Sequence, residues 1–196
     1  MNRIIVATFA ALVVAGSANA TTNLVQNGSF EQNNLTNAQK TTLLANGRVG
    51  VEIDSHFIWA NAVTGWTSPS TGNDYALYFF DGDTAKLGDA DSRYPGEQQR
   101  PNVNFTGDSP DGDAFVVLDA DPSFNGNIQQ NISGLTIGQQ YKLQFYWAAG
   151  ELSNRTGYQT SSLTGTFGTD SFSTQTFVNS HPFTNNPGNL PGDFSG

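Results

Sequence analysis

Asp119 and Asp121 stand two residues apart, at the end of the apolar run Ala114 to Leu118. In an extended segment both carboxyls face the same side. Paired carboxyls break glycosidic bonds when they flank the sugar, usually from separate elements. Two neighbours on one strand end serve that chemistry poorly, and Pro122 and Gly126 suit a solvated turn as well. Hydroxyl nucleophiles have less support. His56 and His181 are the only histidines, and no serine sits in a G-x-S-x-G elbow. The chain has no cysteine, which excludes a thiol nucleophile, a disulfide framework and a zinc–thiolate site.

Oxygen-rich metal sites suit the composition better. Calcium takes about six to eight oxygens from carboxylates, amides and carbonyls. Residues 81–113 hold eight of the 17 acidic side chains, against Lys86, Arg93 and Arg100. No EF-hand loop is present there: Asp89-Ala90-Asp91-Ser92-Arg93-Tyr94 lacks the third ligand and the glycine. The competing reading is an acidic solvated loop that aids solubility. Structureless loops of this length are uncommon in compact domains and tend to be functional or disordered.

Aromatic rings offer a further chemistry. Sugars stack their C–H faces on exposed rings while Asn, Gln and Asp fix the hydroxyls. Trp66, after Thr64-Gly65, and Tyr94, inside the acidic stretch, are placed for exposure. Trp147 and Tyr158 complete the candidate sugar-binding set. For any single ring, burial in the core is the competing reading. The six Asn-x-Ser/Thr triplets are expected in so Asn-rich a chain and carry no assignment.

The elements that must position these groups read as strands. Tyr141, Leu143, Phe145 and Trp147 alternate with Lys142, Gln144 and Tyr146, the strongest period-two signal in the chain. Ala114 to Leu118 reads as a more buried strand. Asn127–Ile132, 49–53, 75–80 and 172–177 are further candidates. Residues 34–45 are the one place for a helical turn or two. Gly, Asn, Ser and Thr supply over a third of the chain, which favours short strands joined by many turns. Short strands with one apolar face pack sheet on sheet, so an all-β sandwich is expected. Net charge −9 and a pI near 4.3 argue against nucleic acid, which needs a cationic surface.

The N-terminus reads as an address. Arg3 supplies a basic tip, Ile4 to Ala15 an apolar run, and Ala18-Asn19-Ala20 a small-residue end. Residues 1–20 thus fit a secretory signal peptide, too short to span a bilayer as a helix. No second long apolar run follows, so no transmembrane segment is expected in the remainder. A β-sandwich domain is expected over 21–178, with an irregular Pro/Gly/Asn-rich tail over 179–196. A cysteine-free exported chain points to a bacterial envelope or exterior.

Three motifs in order carry a family resemblance. Asn23-Leu24-Val25-Gln26-Asn27-Gly28-Ser29-Phe30-Glu31 resembles the opening strand of galactose-binding-like domains, including carbohydrate-binding modules. Val63-Thr64-Gly65-Trp66 matches the Gly-Trp pair that follows it. The stretch from Asp111 to Asp119 and from Gly126 to Phe145 resembles the middle of the same domains, most of all in bacterial exported proteins of the PEP-CTERM (exosortase-sorted) type. The resemblance spans about residues 23–148. It implies an all-β jelly-roll sandwich and a binding module with no catalysis. It also implies a structural calcium held in part by Glu31. Asp119 and Asp121 join Glu31 as the candidate metal ligands. The partner acid of that site lies in a closing strand that this sequence does not show before Gly196, so the sandwich is expected to be incomplete at its C-terminus.

Together these readings predict an exported or cell-surface, non-catalytic protein that binds extracellular glycan. The alternative is a structural or adhesive surface protein without sugar binding. A glycan-active hydrolase using Asp119 or Asp121 is a third reading.

Overall fold

A computed structural model describes residues 3–8, 12–14, 22–45, 50–53, 60–69, 76–80, 99–101, 111–119, 125–152 and 159–179. Its strands in chain order are β1 (Arg3–Thr8), β2 (Leu12–Val14), β3 (Gly50–Glu52), β4 (Ala76–Phe79), β5 (Gln99–Pro101), β6 (Phe115–Asp119), β7 (Tyr141–Leu143), β8 (Tyr146–Leu152), β9 (Gln159–Ser161), β10 (Thr164–Phe167), β11 (Asp170–Ser173) and β12 (Phe177–Asn179). One helix, α1 (Asn37–Ala45), precedes β3.

Two deeply buried strands lie side by side. β4 (Ala-Leu-Tyr-Phe) is buried throughout, and so is β6 up to Leu118. Strands buried on both faces read as continuous apolar runs, which is why these two lack alternation. Alternate residues still part company. Ala76, Tyr78, Val116 and Leu118 join the main core with Phe30, Ile53, Trp66 and Trp147. Leu77, Phe79, Phe115 and Val117 occupy the other set of positions, where Phe79 stacks on Phe115 with centroids 4.9 Å apart. The register opposes Tyr78 to Val116 and Phe79 to Phe115.

Helix α1 starts at a reciprocal cap. Gln39 N–H donates to Thr36 Oγ1 (3.2 Å), and Thr36 N–H donates to Gln39 Oε1 (2.8 Å). The T-x-x-Q spacing satisfies two backbone donors that the first turn would leave open. Leu43 is the residue that α1 buries in the core. Among the described residues no helix is long and apolar enough to cross a membrane.

Among the described residues the sheets do not close, and this corrects the expected jelly-roll β-sandwich of galactose-binding-like type. One open six-stranded sheet runs in the order β3-β4-β6-β1-β8-β5. Three separate two-stranded ladders, β10-β11, β12-β9 and β2-β7, accompany it. The physical reason lies partly in the Tyr141–Trp147 segment. It reads as one strand but breaks at Gln144-Phe145, and its halves β7 and β8 pair in different sheets. The β10-β11 ladder exposes most of its residues, so it offers no continuous apolar face to close against. Asn127–Ile132 is not a strand either; its backbone pairs as an isolated bridge, Thr67 to Gln129.

Two further placements bear on function. Arg3–Thr8, inside the expected leader, forms the strand between β6 and β8. The acidic stretch is not wholly a loop: Gln99–Pro101 forms β5 at the sheet's edge, against β8.

Candidate functional site

The Asn27–Glu31 motif builds a hub. Asn27 takes a left-handed conformation (φ 50°), which Asn tolerates better than most residues. Its amide Nδ2 donates to the carbonyls of Gln32 (2.8 Å) and Thr64 (2.9 Å), while Gln32 N–H donates to its Oδ1 (2.9 Å). Its backbone carbonyl accepts from Phe30 N–H (3.1 Å) and from the Trp66 indole N–H (3.0 Å). One side chain thereby ties the opening motif to the Gly65-Trp66 turn.

Phe30 also takes positive φ, 63°, where a bulky residue costs on the order of 1–3 kcal/mol. The cost is offset by complete burial of its ring, which lies 5.3 Å from Trp66 in a tilted arrangement. Tyr78 reaches the same turn: its hydroxyl donates to Phe30 O (2.9 Å) and accepts from Asn33 Nδ2 (3.0 Å). Burial pushes that hydroxyl well above the ordinary tyrosine range; the Asn33 hydrogen bond opposes the shift, and the nearby Glu31 and Asp113 charges add to it.

Beyond Phe30, the exposed Glu31 clamps the start of β6. Its Oε1 accepts from Asp113 N–H (2.6 Å) and Ala114 N–H (2.7 Å). Gly112 permits the approach. It has φ +99°, and a Cβ there would collide with the Glu31 carboxylate. Asp111–Asp113 is where the acidic stretch returns to the sheet, so Glu31 pins that stretch at its root.

Gln130 makes a second staple. Gln26 N–H donates to its Oε1 (2.8 Å), and its Nε2 donates to Gln26 O (2.7 Å) and Gly65 O (3.0 Å). A single amide thus imitates a strand partner for Gln26. Sequence reasoning singled out neither Asn27 nor Gln130, nor Asn33 and the buried Glu52 of β3. Hydrogen-bonding amides next to left-handed residues and glycines are the signal that points to the first two.

The predicted site residues fall in different places. Trp66 and Trp147 are buried, 7% and 8% exposed, so neither presents a face to a sugar. Tyr94 and Tyr158 lie outside the described residues, as does Asp121. Asp119 ends β6 half-buried, and its carbonyl accepts from Gly126 N–H (2.7 Å). Glu31 sits at the opposite end of that strand, roughly 17 Å away by strand rise. The structure brings Glu31 to Asp113 and does not bring it to Asp119. Among the described residues no three acidic or histidine side chains gather so as to hold a metal ion.

Comparison with family models, with curated proteins and with solved structures finds no match to the chain.

Proposed function

We propose that this chain is an exported, non-catalytic binding module for polysaccharide outside the cell, met through the acidic 81–113 segment. One observation carries the reading: the Glu31 carboxylate is spent on two backbone donors at the root of that segment. A carboxylate oxygen so engaged positions the root of a loop. The segment leaves from β4 and returns to β6, neighbouring strands held in register by the Phe79–Phe115 pair. Tyr94, with Tyr158, would stack on sugar rings, while the segment's acids and amides would fix hydroxyls. Trp66 and Trp147 have no part in this, because both are core.

A glycan array probed with the intact protein tests the reading. Selective retention that is lost in Tyr94→Ala is expected; no retention on any glycan overturns it. A second reading, adhesion between surface proteins, is favoured by a specific feature. Gln139 N–H donates to Thr136 O (3.1 Å) across a turn with Gly138 at φ +80°. That geometry leaves Ile137 fully exposed at the tip, with Leu135 exposed beside it. Adhesion through this tip predicts partner capture that free sugar does not compete and Ile137→Asp abolishes.

A further inference from the structure

β1 runs antiparallel to both its neighbours, β6 and β8. Those two strands are therefore parallel to each other, about 10 Å apart, one strand's width at the usual spacing. The residues that fill the gap, Arg3–Thr8, belong to the stretch that reads as an export leader. We propose that the β6–β8 gap is a strand-acceptor site. The leader plugs it in the full chain, and removal of the leader opens it to an extended apolar segment of another polypeptide. The proposal rests on the export reading above, since processing is what empties the gap.

The pairing defines what fits. On one side Ile4, Ile5, Val6 and Ala7 oppose Asp119, Leu118, Val117 and Val116. On the other, Arg3 to Thr8 oppose Glu151 to Tyr146. Without β1, two facing edges would present rows of open N–H and C=O groups, a template for strand addition. Val116, Val117 and Leu118 occupy consecutive positions and all are buried. Consecutive residues face opposite sides of a sheet, so both faces are covered at this point. An occupant must be apolar at successive positions, with no alternation, and free of proline, which would forfeit a ladder donor. Ile4-Ile5-Val6-Ala7 meets these conditions. The partner is thus an extended run of small or β-branched apolar residues, antiparallel to β6.

The absence of cysteine gives a clean test of the plug. Ile5 and Leu118 are register partners, so Ile5→Cys with Leu118→Cys places two Cα atoms within disulfide range. Oxidised glutathione should cross-link this pair within one full-length chain, and should leave Ile5→Cys with Phe115→Cys unlinked. Failure of the first pair, or equal linking of both, overturns the plug. For acceptance, the probe is a fluorescein-labelled peptide of residues 2–10. Full-length Val6→Pro, whose own plug is weakened, should bind it saturably by anisotropy, and the wild type should not. A peptide carrying Val6→Pro should bind roughly tenfold more weakly. Protein recovered from outside the exporting cell without residues 1–20 should bind like full-length Val6→Pro. No uptake by either form overturns the acceptor site. Recovery of an exterior form that keeps residues 1–20 overturns leader removal instead, absence of any exterior form overturns the export reading, and the cross-link and Val6→Pro arms then judge the gap alone.

Discussion

Glu31→Ala removes one acceptor and releases two backbone donors. The acceptor is charged and the contacts are short, 2.6 and 2.7 Å to Asp113 and Ala114. Hydrogen bonds to charged groups contribute about 1.5–3 kcal/mol each. Glu31 is exposed, so water screens the pair and replaces part of what is lost. Ala114, however, is 1% exposed, and its N–H has little other recourse. We expect a loss of about 2–3 kcal/mol for Glu31→Ala. In a domain of this size that is a fall in Tm of roughly 5–10 °C. Glu31→Gln keeps an acceptor oxygen and should lose about 1 kcal/mol. Urea melts followed by far-UV circular dichroism give the numbers, and amide exchange should quicken at Asp113 and Ala114 specifically. EDTA separates this from a calcium role. A calcium ion on Glu31 predicts that EDTA lowers the Tm of wild type but not of Glu31→Ala. A backbone clamp predicts the same gap between the two proteins with and without EDTA. A Glu31→Ala protein within about 0.5 kcal/mol of wild type would refute the clamp.

Tyr78→Phe removes the hydroxyl that bridges Phe30 O and Asn33, and should lose about 1–3 kcal/mol at neutral pH. Because burial raises the folded-state pKa, the stability tied to the neutral phenol is intact below the unfolded value of about 10 and lost as pH climbs past it. Urea midpoints between pH 9 and 11 should therefore fall more steeply for wild type than for Tyr78→Phe; equal slopes would contradict the assignment. Gln130→Glu turns two donations, to Gln26 O and Gly65 O, into repulsions, so at pH 7 it should be less stable than Gln130→Ala and should recover as pH falls toward 4. A pH-independent difference between those two variants in thermal melts would count against the staple. Trp66→Phe forfeits the indole bond to Asn27 O and should lose about 1–2 kcal/mol while leaving ligand affinity unchanged, measured by parallel melts and titrations.

Local signals were legible in the sequence where burial is two-sided. Ala76–Phe79 and Phe115–Leu118 are runs of successive apolar residues, and each became a buried strand near its expected bounds. The helix inside 34–45 was likewise legible, and Thr36 with Gln39 marks its start. Alternation proved less specific. Along Tyr141–Trp147 the odd positions are indeed the more buried, yet the ladder breaks midway. In Asn127–Ile132, Ile128 and Ile132 lean on the core while the Gln130 side chain does the pairing. Period-two patterning reports one-sided burial, and it does not say which backbone, if any, supplies the hydrogen bonds. Sandwich closure depends on such distant pairings, so alternation alone does not determine it. Trp147 illustrates the same point from the site's side: its alternation groups it with Leu143 and Phe145, toward the core, and its burial follows that grouping. Trp66 carries no periodic signal, and the distant Asn27 carbonyl and Phe30 ring hold its inward pose.

Affinity electrophoresis of the intact protein through gels containing soluble polysaccharides tests the central claim most directly. The account predicts retardation by at least one polysaccharide, undiminished in Trp66→Phe and lost when Tyr94→Ala and Tyr158→Ala are combined. Unretarded migration of the wild type in every gel, or retardation that survives the double tyrosine variant, would contradict it.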